Sequence, residues 1–245
     1  IADIAIENLT AFTLDAVITK KEHCMRYVAG AVHTSAYEYS TFVEQAQSSH
    51  APDPSYPFAV LNSATESRTF TEQDLVRNSL VNSSENAGLI LIPGTSYTIA
   101  VYGEDESGNY NVSTKEFVVP AAEINGSVEL SIKMGTITET SAEATLTASE
   151  QCKVIFGYVD PAITAADAEN PFDFEGKTDE EIKNFIVSMP QAIPAIYTNP
   201  ITRLLSDRLE IDHQYYAYAI AIKDGKVGGV EFTTFKTMRP SLTGV

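Results

Sequence analysis

Short segments in which hydrophobic and polar residues alternate occur along the chain in matching pairs. This alternation predicts half-buried β-strands, because successive side chains of a strand point to opposite faces of the sheet. The pairs are 13–19 with 142–147, 26–32 with 154–159, 97–103 with 215–222, and 115–119 with 230–235. The pattern predicts a mainly β protein that contains one series of strands twice.

A helical stretch interrupts each series between its middle strands. The second stretch begins with a capping box formed by Thr178 and Glu181, and it stops at Pro190. Apolar residues recur at helical spacing in both, at Tyr39, Phe42, Val43 and Ala46 and at Ile182, Phe185, Ile186 and Met189. We expect each helix to pack on the strands of its own series, which is a more common use of an apolar stripe than ligand binding.

The two series also align in sequence, which indicates a duplication. Residues 9–24 align with 137–152 without a gap, and five positions are identical. The identical pairs are Thr10 and Thr138, Ala16 and Ala144, Thr19 and Thr147, Glu22 and Glu150, and Cys24 and Cys152. A proline and an Asn-Gly turn within 119–127 mark the boundary, and we predict domains at 1–122 and 123–245.

A proline-glycine turn stands before the third strand of the first series, in LIPGTSYTIAV (91–101). Pro93 presets φ and Gly94 accepts a positive φ, so the chain can turn tightly between two sheets. Tyr97 is then placed to bury its ring and to return its hydroxyl to an upstream backbone group. The second copy keeps the tyrosine, Tyr215, but has EIDHQ in place of the turn.

These residues resemble the corner between strands E and F of fibronectin type III domains. The resemblance implies two tandem Ig/fibronectin type III-like β-sandwiches, each with a helical excursion between its middle strands, with Tyr97 and Tyr215 as structural corners. The chain has no tryptophan, and Ala16 and Ala144 stand where such domains often carry a core tryptophan. With the long excursions, this resembles the divergent tandem domains of secreted and surface lipoproteins of gut bacteria.

The run YYAYAIAI (215–222) predicts its own orientation in the sheet. With Tyr215 in the core, the residues that face inward are Tyr215, Ala217, Ala219 and Ala221, and those that face outward are Tyr216, Tyr218, Ile220 and Ile222. The larger side chains then need a cover. We expect the helix around Ile182 to supply it.

The net charge and hydropathy of the chain exclude some classes of binding partner. The chain has 16 Lys and Arg against 33 Asp and Glu, and its formal charge of −17 repels nucleic acid and anionic lipid. No segment approaches the roughly 18 consecutive apolar residues of a membrane span, so we expect no direct membrane insertion. Because the chain begins at Ile1 without a cleavable leader, we expect an extracellular or cell-surface protein, lipid-anchored through a removed N-terminal segment, with a protein or glycan partner there.

Residues with catalytic or metal-binding chemistry form no recognisable motif. Cys24 and Cys152 hold equivalent positions in different domains, so we expect two separate buried thiols. The four histidines, His23, His33, His50 and His213, show no ligand spacing with the cysteines, and no glycine-flanked serine motif is present. We predict no catalytic residue, no metal site and no cofactor.

The segment 104–109 has oxygen-bearing side chains at Asp105, Ser107 and Asn109, an alternation that can hold calcium. It lacks the rest of an EF-hand loop, and the second copy has only KDGK there. A hairpin turn built on Ser107, Gly108 and Asn109 is therefore the favoured interpretation.

Aromatic residues of the helical stretches are the candidates for ligand binding, since loops on a rigid sandwich commonly bind partners. They are Tyr37, Tyr39, Tyr56 and Phe58 in the first stretch and Phe172, Phe174 and Tyr197 in the second. Packing into the core is the more common use of such residues. The absence of tryptophan also makes sugar stacking less expected.

The leading hypothesis is a non-enzymatic extracellular or cell-surface protein, a pair of structural or adhesion/binding modules. The alternative is a glycan-binding accessory module of a surface polysaccharide-utilisation system. An unrecognised enzyme is the second alternative, because sandwiches of this kind host many functions.

Overall fold

The computed structural model describes most of the chain, in the ranges 1–48, 59–61, 67–71, 91–169, 171–189, 195–196 and 200–240. The chain divides into two compact units between Ala121 and Ala122. Across these ranges, no helix has both the length and the apolar character that a membrane crossing requires.

The first unit is a sandwich of two antiparallel sheets. Its strands are β1 (Ala2–Glu7), β2 (Asp15–Lys20), β3 (Arg26–His33), β4 (Ala59–Leu61), β5 (Ser67–Thr71), β6 (Ser96–Glu104) and β7 (Tyr110–Val118). One sheet has the order β1-β2-β5 and the other the order β4-β3-β6-β7. Both sheets contribute to one core, with Ile18 and Phe70 from the first and Ile99 and Val101 from the second.

A helix covers the outer face of the larger sheet. A 3-10 turn, Thr34–Ala36, and helix α1, Tyr39–Ser48, follow β3. The buried cluster beneath the helix contains Phe42, Val43 and Ala46 of α1 and Val28, Ala100 and Tyr102 of the sheet. Because both of its faces are covered, β6 is buried without interruption over 97–103. Tyr39, at the first position of α1, is 52% exposed.

The second unit repeats this strand order. Its elements are β8 (Leu130–Ile137), β9 (Ala142–Ala148), β10 (Lys153–Val159), α2 (Pro161–Ala166), α3 (Asp179–Ser188), β11 (Ala195–Ile196), β12 (Ile201–Leu205), β13 (Gln214–Lys223) and β14 (Lys226–Lys236). The sheets have the orders β12-β9-β8 and β11-β10-β13-β14, so each strand takes the place of its counterpart in the first unit. The predicted fold class is confirmed: the chain forms two tandem fibronectin type III-like β-sandwiches with helical excursions.

Strand β13 has the orientation that its sequence predicts. Its inward residues Tyr215, Ala217, Ala219 and Ala221 all lie in the core clusters. Ile220 and Ile222 point the other way and are nevertheless buried. The outer face of this sheet is therefore covered, as the size of its side chains requires.

Helix α3 contributes to that cover and begins where the sequence predicts. The Thr178 hydroxyl accepts a hydrogen bond from the Glu181 N–H, and the Glu181 carboxylate accepts one from the Thr178 N–H, which completes the capping box. Ile182, Phe185 and Ile186 are buried, and burial of such side chains stabilises a fold by about 2 kcal/mol each.

A buried tyrosine closes the corner of each sandwich, and the two corners have the same geometry. The Tyr97 hydroxyl accepts a hydrogen bond of 3.2 Å from the Ile92 N–H. The Tyr215 hydroxyl accepts one of 2.7 Å from the Glu210 N–H. In both units the donor lies five residues upstream, so the hydroxyl fixes the loop that leads into the strand.

Each corner ring is packed between a histidine and a phenylalanine. His33 and Phe117 lie 4.6 Å and 5.6 Å from Tyr97 between ring centroids. The corresponding distances from Tyr215 are 4.8 Å to His213 and 5.4 Å to Phe235. Burial raises the pKa of Tyr97 to about 12, which keeps its hydroxyl neutral at physiological pH.

The turn before the corner needs a left-handed residue, and the two units supply it differently. Gly94 has φ 78°, and Asp212, at the same distance before its tyrosine, has φ 56°. The Asp212 carboxylate binds Lys236 Nζ at 2.8 Å and also the Arg239 guanidinium. Aspartate tolerates this conformation better than most residues, so the second copy makes the turn without proline or glycine.

The backbone of residues 124–126, just before β8, lies very close to the backbone of β14. The N–H groups of Asn125 and Gly126 both donate to the Val227 carbonyl, at 3.0 Å and 2.6 Å, and Ile124 forms a parallel bridge with Val227. A Cβ on Gly229 would lie 2.8 Å from the Leu130 nitrogen. Glycine is required here because the backbones approach more closely than a side chain allows.

Removal of the corner hydroxyl should destabilise each unit. In Tyr97→Phe and Tyr215→Phe the backbone N–H of Ile92 or Glu210 loses its acceptor, which costs about 1–2 kcal/mol. The measurement is the free energy of unfolding from urea titrations followed by circular dichroism. Tyr39→Phe, at an exposed residue, is the control and should match the wild type. Equal stability of all three variants would contradict the prediction.

Acid should destabilise the first unit through His33. Burial lowers the pKa of His33 from its usual 6.5, so the unfolded chain takes up the proton at a higher pH than the folded chain. The stability that depends on neutral His33 is complete above the unfolded pKa and declines as the pH falls below it. We expect the urea midpoint to drop more between about pH 7.5 and about pH 5.5 in the wild type than in His33→Gln. Parallel drops in the two proteins would show that His33 plays no part.

Candidate functional site

A set of five aromatic rings, the aromatic row, joins the helical excursion of the second unit to the outer face of its larger sheet. Phe172 stacks on Phe185 of α3 with ring centroids 4.1 Å apart. Phe174 stacks on Tyr216 of β13 at 4.5 Å, and Tyr216 lies 5.8 Å from Phe232 of β14. The inward orientation of Tyr215 directs Tyr216 outward, so the corner also positions this row.

The aromatic row has a buried base and an open edge. Phe174 and Phe185 are only 6% and 8% exposed, whereas Phe172, Tyr216 and Phe232 are half-buried. Half-buried rings that rest on buried ones lose little conformational freedom when a partner binds. The row therefore has the physical properties of a preorganised contact surface.

Charged groups border the aromatic row. Lys177 Nζ lies 5.8 Å from the centroid of Phe172 and 3.8 Å from a Glu181 carboxylate oxygen. Lys183 Nζ of α3 binds Glu231 of β14 at 2.7 Å. Apolar rings with polar groups at their edge suit both protein surfaces and sugars, which present apolar faces and hydroxyl groups.

The candidate aromatic residues predicted from the sequence have different environments. Phe172 and Phe174 come together in the aromatic row. Tyr37 is half-buried 6.3 Å from Phe42, and burial raises its pKa, while Tyr39 is exposed. The other candidates and one histidine lie outside the described residues, namely Tyr56, Phe58, Tyr197 and His50.

A second surface feature, the Tyr110 site, lies on the first unit and was not predicted. It consists of Arg26, Tyr102, Glu104 and Tyr110. Arg26 makes two bonds of 2.6 Å to the Glu104 carboxylate, and the Tyr102 O–H donates to the same carboxylate at 2.6 Å. Burial, assisted by the bond to Glu104, raises the pKa of Tyr102 to about 12. Tyr110 stacks on Tyr102 at 5.2 Å.

A signal for the Tyr110 site is present in the sequence. A hairpin centred on Ser107 and Gly108 pairs Glu104 with Tyr110, and the structure has this pairing. Tyr102 then falls on the same face of β6 as Glu104, because residues two apart share a face. The hairpin turn alone does not reveal the site, because the site also needs the register of β6 and β7.

The segment 104–109 forms a hairpin turn that uses its carboxylate internally. Asp105 Oδ1 accepts hydrogen bonds from the N–H groups of Ser107 and Asn109 at 2.8 Å and 2.9 Å, and Oδ2 accepts one from Asn109 Nδ2 at 2.9 Å. The bonds from Asn109 lower the pKa of Asp105 most. Among the described residues, no three His, Cys, Asp or Glu side chains are grouped so that they could hold a metal ion.

The environments of the two cysteines and of His213 favour structural roles. Cys24 and Cys152 are free, buried thiols, and burial raises the pKa of both, which lowers their reactivity. His213 Nε2 lies 2.9 Å from Asp160 Oδ2, and Asp160 Oδ1 accepts a hydrogen bond from the Ala162 N–H at the start of α2. Asp160, the residue before α2, therefore lies close to the corner of the second unit.

No family model matches this chain, and no curated protein matches it. Among solved structures, it is similar to a segment of two fibronectin type III domains from chicken tenascin, at 16% identity over 96% of this chain and 98% of that one, with a TM-score of 0.30. It is also similar to the FN1–FN3 domains of chicken CNTN1, at 9% identity over 97% and 67% of the two chains, with a TM-score of 0.35.

A third similar structure is the central fibronectin-III array of RIM-binding protein, at 8% identity over 98% of this chain and 70% of that one, with a TM-score of 0.26. TM-scores of this size do not by themselves support a fold assignment. The fold assignment rests on the strand order of the two sheets in each unit and on the tyrosine corner that each unit contains.

Proposed function

We propose that this chain is a non-enzymatic extracellular or cell-surface protein whose two modules act in adhesion or in presenting a binding face. The observation that supports the proposal is the aromatic row, in which half-buried Phe172, Tyr216 and Phe232 rest on buried rings. The partner is a protein or a glycan at the cell surface. The location is inferred from the resemblance to secreted and surface lipoproteins.

The aromatic row suits binding because its geometry is fixed before a partner arrives. Tyr216 is held by the strand register that the Tyr215 corner sets, and Phe172 is held by its stacking on Phe185. Aromatic side chains on a rigid base supply much of the binding energy at interfaces, since they bury a large area at small entropic cost. The same row favours glycan binding as a second candidate function, because adjacent open rings can stack on sugars.

Protease treatment of intact cells tests the proposed location. We expect proteinase K, added to intact cells of the producing organism, to digest the chain while a cytosolic enzyme in the same cells survives. Detection is by immunoblot with an antibody raised against this chain. Survival of the chain in intact cells, with digestion after lysis, would contradict a surface location.

A polysaccharide array tests the glycan function and separates it from the general proposal. If the row binds glycan, Tyr216→Ala and Phe232→Ala should each weaken binding by roughly tenfold, the usual effect of removing an aromatic anchor. Leu204→Ala, which shortens an exposed side chain of β12 in the other sheet of the same unit, should bind as the wild type does. Circular dichroism of each variant checks its fold. If the wild type binds no polysaccharide, the glycan function is dropped and the proposed surface location is unaffected.

A further inference from the structure

The ring of Tyr110 is exposed and yet rigidly supported. Tyr110 is 45% exposed, whereas Tyr102, on which it stacks, is 1% exposed. The hydroxyl of Tyr102 is bound to Glu104, and Glu104 is held by both arms of the Arg26 guanidinium. One face of the Tyr110 ring is therefore covered by a fixed group, and the rest of the ring is open to a partner.

The hairpin turn that leads into Tyr110 carries negative charge. Arg26 neutralises Glu104, but the adjoining hairpin turn adds Asp105 and the exposed Glu106. The hydrogen bonds that Asp105 accepts within the turn lower the pKa of its carboxyl below its usual value. The whole chain carries a formal charge of −17, so the local charge has the same sign as the surrounding field.

We propose that the Tyr110 site binds a basic segment of a partner protein, with an arginine or lysine side chain stacked on the open face of Tyr110 and its charge directed toward Asp105 and Glu106. Cations are attracted to the faces of aromatic rings, and the nearby carboxylates add to this attraction. Anionic ligands and a second copy of this chain are disfavoured, because both carry the same sign of charge. The Tyr110 site is distinct from the aromatic row, and binding of a basic peptide there does not depend on the cellular location of the protein.

The probe is a fluorescently labelled peptide of alternating arginine and serine, blocked at both ends, titrated with the purified chain at low ionic strength and followed by fluorescence anisotropy. We expect Tyr110→Ala to weaken binding about threefold or more, as loss of an exposed cation–π contact predicts. Tyr110→Phe keeps the ring and should bind as the wild type does. Glu106→Gln should weaken binding and reduce its dependence on salt.

The control is Val118→Ala, which shortens another exposed hydrophobic side chain of the same strand, β7. It should leave binding unchanged, and a peptide with glutamate in place of arginine should not bind. The proposal is overturned if the wild type does not bind the arginine peptide. It is equally overturned if Tyr110→Ala and Val118→Ala bind alike, since binding would then reflect only the overall charge. Neither outcome affects the tests of cell-surface location or of the aromatic row.

Discussion

The hydrogen bond between a backbone N–H and the hydroxyl of a buried tyrosine five residues downstream determines much of this structure. It holds Tyr97 and Tyr215 with their rings in the core. Because side chains alternate along a strand, fixing one residue inward determines which face of the sheet every other residue of that strand occupies. Strand β6 must then direct Ala100 and Tyr102 outward. In β13 the same rule places alanines inside and larger residues outside.

The helical excursions follow from this assignment. A sheet whose outward residues include Val28 and Tyr102, or Ile220 and Ile222, would expose a broad apolar surface to water. The cluster under α1 covers Val28 and Tyr102, and Ile220 and Ile222 are likewise buried in the second unit. The cover is incomplete at its margins, and the two candidate surfaces lie there: the aromatic row beside α3 and the stacked ring of Tyr110 beside the β6–β7 hairpin. Both candidate surfaces thus lie where the added helical layer ends.

Much of the fold follows from local sequence, because periodicity, capping residues and turn residues act over a few positions. The orientation of β13, the capping box of α3 and the helix packed on β6 were all predicted on such grounds. The left-handed conformation of Asp212 does not follow from local sequence, because Lys236 and Arg239, which bind its carboxylate, are distant in the sequence. The Tyr110 site depends on Arg26 of β3 lying opposite Glu104 of β6, and the aromatic row depends on rings from α3, β13, β14 and the loop before α3. Contacts of that kind are set by tertiary packing, which no local pattern encodes.

The backbone contact between Gly126 and Val227 defines where the second module really starts. Val119 is bonded to Thr95 of the first unit, and Ile124 is already paired with the last strand of the second, so only Pro120 to Glu123 are left to connect them. A single-module fragment that began at Leu130 would lack the strand segment that covers Val227 and its neighbouring glycines. A fragment that keeps this contact therefore has to include Ile124, although the next strand, β8, begins only at Leu130.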